Sequence, residues 1–74
     1  MPRMKGKGHG WRLITMHNPE TAKYVRQTDD AFGPRCTEEF MIERAEAMWN
    51  ICKPLMVVLM QFKENAWREV KAWS

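Results

Sequence analysis

His17, Asp29 and Cys36 are the residues from which a thiol nucleophile, its base and an orienting carboxylate would have to be assembled. Such a site needs an imidazole beside the thiol to form the thiolate, and an acid to fix the ring. Their spacing matches no nucleophile signature, so no enzyme is predicted. His9, His17, Cys36 and Cys52 are the potential metal ligands, but no two form the close pair that anchors zinc, and neither a metal nor another cofactor is expected. Gly6-Lys7-Gly8-His9-Gly10 has the glycine content of a phosphate cradle. A cradle of that kind follows a strand and opens a helix, whereas this segment leads into a strand, so its glycines are read as flexibility.

A second chemistry is contact with nucleic acid. Arg3, Lys5, Lys7 and Arg12 have no acidic residue among them, while the rest of the chain carries eight basic and nine acidic side chains, so the net charge of +3 is a property of the amino-terminal arm. Such an arm gains affinity for phosphates by displacing counterions. With Trp11 beside it, and Lys23, Tyr24 and Arg26 further on, the pattern offers rings for stacking next to cations, which suits single strands or non-specific binding. The predicted nucleic-acid contacts are Arg3, Lys5, Lys7, Trp11 and Arg12. No ribonucleoprotein motif, zinc finger or helix-turn-helix accompanies them.

The elements that would position these residues follow from local patterning. Residues 1–10 have no apolar period and are expected to be a flexible basic arm, leaving 11–74 as a single small domain. Trp11 to His17 is strand-like, and Ala22 to Thr28 offers a second strand across the turn Asn18-Pro19-Glu20-Thr21. The same turn also reads as a helix start with Asn18 as cap, and the hairpin is preferred because Ala22 to Thr28 has a poor helical stripe. Asp29 to Arg35 reads as a connecting loop. Thr37 is a good helix cap, with Glu38 and Glu39 placed where the helix dipole favours anions.

Beyond it, Met41, Ala45, Met48, Cys52, Leu55, Leu59, Phe62 and Ala66 are separated alternately by four and three residues, which is the spacing of one helical seam. Pro54 falls off the seam. A proline inside a helix costs about 3 kcal/mol, so the continuous seam predicts a kink there. The expected fold is therefore α+β: a small amino-terminal β-hairpin packed on one long carboxy-terminal helix, roughly 54 Å in length, kinked at Pro54. A two-stranded hairpin cannot cover so long a face.

That excess apolar surface carries the functional expectation. Trp49, Met56, Met60 and Trp67 widen the face beyond the seam, and with Trp73 they form the predicted partner-binding set, since Met repacks easily and Trp dominates binding hot spots. The sequence thus predicts a non-enzymatic protein-binding module whose partner is a larger protein or protein complex. Its format, short, basic at one end and rich in Met and Trp, is similar to that of small phage-encoded regulators and inhibitors that bind host machinery such as RNA polymerase, although no residue pattern carries that likeness. The alternatives are weak, non-specific nucleic-acid binding and a homodimer joined through the helical seam. There is no secretory segment and no apolar run long enough to span a bilayer, so a cytoplasmic location without membrane contact is expected.

Overall fold

The computed structural model describes residues 10–20, 22 and 24–74. The expected flexible arm, including Arg3, Lys5 and Lys7, lies outside the described residues except for Gly10, which opens the first strand. Four strands and one helix follow in the order β1 (Gly10–Met16), β2 (Gln27–Phe32), α1 (Glu38–Cys52), β3 (Met56–Lys63) and β4 (Ala66–Trp73). The strands form one antiparallel sheet in the order β2-β1-β3-β4.

This overturns the expected hairpin on a long kinked helix. The helix does start as its cap predicts, with the Thr37 hydroxyl accepting the Phe40 amide at 3.1 Å, but it ends at Cys52 instead of bending at Pro54. Lys53 takes the left-handed conformation (φ 50°, ψ 51°) and stops the helix. Pro54 disfavours helical geometry in the residue before it, so the stop is local. After it, the apolar run Met56 to Met60 contains the β-branched pair Val57-Val58 and forms a central strand, and the Leu55 amide donates to the Met16 carbonyl at 2.8 Å as that strand joins β1.

The other half of the supposed helix is a hairpin arm. Glu64 (φ 55°) and Asn65 (φ 64°) both have positive φ between Lys63 and Ala66, the requirement of a two-residue type I′ turn. The Arg68 guanidinium braces the turn through Glu64 at 3.1 Å and the Lys63 carbonyl at 3.4 Å. The first hairpin is also corrected. β1 matches its expected strand to within a residue, whereas β2 begins only at Gln27, so Asp29 to Phe32, expected in a loop, are strand. Asn18 does bond back to the chain, its side chain accepting from the Glu20 amide at 2.9 Å.

One sheet face is sealed by α1. Trp11, Leu13, Val57 and Leu59 from the two central strands meet Met41 and Ala45 of the helix, and these six are the buried apolar core among the described residues. Phe32, Cys36, Ile42, Met48, Trp49, Val70 and Trp73 pack around it. The Trp11 indole Nε1 donates to the Cys36 carbonyl at 3.0 Å, tying β1 to the start of the helix.

Candidate functional site

Successive strand residues point to opposite faces, so the side chains opposite the helix can be placed from the strand registers. On β1 these are Arg12, Ile14 and Met16; on β3 they are Met56, Val58, Met60 and Phe62. Asp29 and Ala31 flank them on β2, and Trp67, Glu69 and Ala72 on β4. The described helix lies on the other side, and no other described element packs across this face. It is a continuous apolar strip of Ile14, Met16, Met56, Val58, Met60, Phe62 and Trp67, each half-buried by its neighbours, with Met16 the most open at 37 %. Phe62 and Trp67 meet edge to face with ring centroids 5.2 Å apart.

A β-bulge sets the composition of this face. The register slips between Leu59 and Met60, which pair with Lys71 and Glu69, so Val70 is the extra residue. The slip keeps Trp67 and Glu69 on the open face but turns Val70 and Trp73 toward the helix-side core.

The charges of the open face are few. Arg12 forms an ion pair with Asp29, Nε donating to Oδ1 at 3.1 Å and Nη2 to Oδ2, and its guanidinium carbon lies 5.3 Å from the Trp67 ring centre. The hydrogen bond to Asp29 is the largest influence on Arg12; it raises the pKa, burial opposes it, and the carboxylate charge adds to the rise. Arg12 is therefore a fixed cation already committed to a partner. Glu69 leaves the face with one carboxylate in excess.

The predicted site residues divide accordingly. Met56, Met60 and Trp67 are brought together, as strand neighbours on the open face instead of neighbours along a helix. Trp49 and Trp73 pack against the helix-side core, which removes them from that surface. Trp11, expected to stack on bases, is 3 % exposed and hydrogen bonded in the core. Cys52, placed on a buried seam by its spacing, is exposed. The residues missed were Ile14, Met16, Val58 and Phe62; the signal for Val58 is the unbroken apolar run Met56 to Met60, the pattern of a strand with two apolar faces, and Trp11 to Met16 offers no clean alternation for the others.

The possible thiol triad is dispersed. His17 contacts the Thr28 hydroxyl at 3.3 Å beyond one end of β1, Cys36 lies by Trp11 near the other end, and Asp29 faces Arg12. Among the described residues no group of three His, Cys, Asp or Glu side chains is placed to hold a metal ion, and no helix is long and apolar enough to cross a membrane. No protein-family model, curated protein or solved structure matches the chain.

Proposed function

We propose that this chain is a non-enzymatic protein-binding module that engages another polypeptide through the open face of its sheet. The observation that carries the reading is that face itself: seven apolar side chains from β1, β3 and β4 in one contiguous surface, with Arg12 and Asp29 already neutralising each other at one side. Large contiguous apolar surfaces on small domains mark interaction sites, and Met and Trp are the residues that adapt to and anchor partners there.

The edges of the sheet favour the face over strand addition. β2 is six residues long and carries Asp29 and Asp30, and β4 is interrupted by its bulge and carries Arg68, Glu69 and Lys71, all features that discourage pairing with another strand. Nucleic acid is the weaker reading of the same surface. Phosphates need several cations, and Arg12 is the only one among the outward-facing strand residues, where Asp29 and Glu69 outnumber it.

The test is capture of partner polypeptides by the tagged chain, comparing wild type with Val58→Asp at the centre of the open face and Phe40→Asp on the helix. Capture lost with the first and kept with the second is the expected result. Equal capture by wild type and Val58→Asp removes the open face from the function.

A further inference from the structure

We infer that the polypeptide seated on the open face is a second copy of this chain, giving a two-fold dimer in which the two sheets stack face to face. The inference rests on the reading of that face as a protein-binding surface and adds the identity of the occupant.

The open face is self-complementary in its strand registers. Across the face the side chains form rows: Gly10, Phe62 and Trp67; then Ala31, Arg12, Met60 and Glu69; then Asp29, Ile14, Val58 and Ala72; then Gln27, Met16 and Met56. A two-fold axis running along the strands, midway between β1 and β3, lays β1 over the partner's β3 and β2 over the partner's β4, row on row. Ile14 then meets the partner's Val58 and Met16 meets the partner's Met56. The bare Gly10 position stands opposite the partner's Phe62. Small residues face charged ones at the rim, with Ala31 against the partner's Glu69 and Asp29 against the partner's Ala72.

Charge complementarity selects this axis. It brings the partner's Glu69 beside Arg12, one strand spacing of about 4.8 Å to the side, so the arginine lies between its own Asp29 and the incoming carboxylate, and each Glu69 gains a neighbouring cation although the excess of one carboxylate per face remains. Stacked sheets are rotated by about 30°, which displaces the outer strands by roughly 4 Å, within reach of an arginine side chain. An axis across the strands instead puts Arg12 on the partner's Ile14 and leaves Glu69 without a cation.

The face is also large enough for a small interface. Four strands about 4.8 Å apart and seven residues rising about 3.3 Å each give a face of roughly 19 by 23 Å. Two such faces, with the relief of their side chains, bury about 1,000 Å2 in total, the lower bound for a specific interface. Six buried apolar residues among the described residues make a thin core, and a second sheet is the layer that would complete it.

Sedimentation equilibrium of the full chain tests the proposal. The wild type is expected to pass from monomer to dimer at concentrations of about 1–100 µM, as suits a small interface. Phe40→Asp should behave as wild type, Val58→Asp should stay monomeric with its far-ultraviolet circular dichroism retained, and Glu69→Gln should weaken association about two- to fivefold through loss of the rim pair. A wild type that remains monomeric to millimolar concentration overturns the dimer, as does a dimer that Val58→Asp leaves intact. A dimer insensitive to Glu69→Gln overturns the axis. The broader protein-binding reading has its own failure, capture of other polypeptides unchanged by Val58→Asp, so the two are told apart.

Discussion

Leu59 and Met60 are adjacent in the chain and lie on opposite faces of the same strand, and their surroundings differ completely. Leu59 is fully buried beneath α1 with Met41 and Ala45 of the core, whereas Met60 lies half-covered in a strip that no described element crosses. Both faces are apolar. Burial on the first is already spent on the fold, so its side chains define stability; the second retains apolar surface that only another molecule removes from water, so its side chains define association.

The comparison breaks if truncation on the two faces has the same effect. Leu59→Ala is expected to cost about 2–5 kcal/mol by chemical denaturation, through lost transfer energy and the cavity left behind. Met60→Ala, measured on the dilute monomer, should cost about 1–2 kcal/mol, less than Leu59→Ala, because part of its side chain is in water before and after. Gly10→Ala comes next. Gly10 has φ 106°, and an added Cβ would lie 2.3 Å from the Phe32 carbonyl oxygen, so β1 and β2 must separate there at a cost of about 1–3 kcal/mol, read as a lowered melting temperature.

Within the covered face the sign of one change is reversed. The Thr15 hydroxyl is fully buried without a hydrogen-bond partner among the described residues, so the nearly isosteric Thr15→Val should stabilise the fold by about 1 kcal/mol in the same denaturation experiment. Arg12→Ala gives the smallest effect. The Arg12 and Asp29 side chains are about one-third exposed, and their pair should contribute less than about 1 kcal/mol to monomer stability, decreasing as salt is added. Its expected consequence lies in association, where it serves the partner's Glu69.

Parts of this arrangement were legible in the sequence because their causes are local. Thr37-Glu38-Glu39 carries its cap and its dipole-matched charges, and Trp11 to His17 has the β-prone composition of a strand. The carboxy-terminal half was misread because a seven-residue apolar spacing coincided with two strands. Leu59 lies on the covered face of β3 and Phe62 on the open one, so in the extended chain that seam switches faces and corresponds to no surface. Val57-Val58 and the turn-forming Asn65 were the competing signals, and burial of Val57 and Leu59 between β1 and the helix decided for them.

The candidate face was visible only in part for a different reason. Met56, Met60 and Trp67 have the chemistry of a binding surface, but their company depends on long-range pairing: Ile14 reaches Val58 through the β1–β3 register. The bulge at Val70 sends Trp73 to the core while Trp67 stays outside, and without that slip the two would share a face. Equal spacing along the chain carries no trace of it. β2 was displaced because Asp29 and Asp30 resemble loop residues; they are tolerated in a strand because it is an edge strand, where Asp29 pairs with Arg12.

Methyl and aromatic chemical shifts of the wild-type chain, followed as its concentration is raised through the micromolar range, test the division of labour between the two faces most directly. Ile14, Val58, Met60 and Phe62 are expected to shift together with one dissociation constant, while Met41, Val57 and Leu59 beneath the helix stay in place. Shifts confined to the exposed helix-side residues Phe40 and Ile51, or no shift on the open face at any concentration, would contradict it.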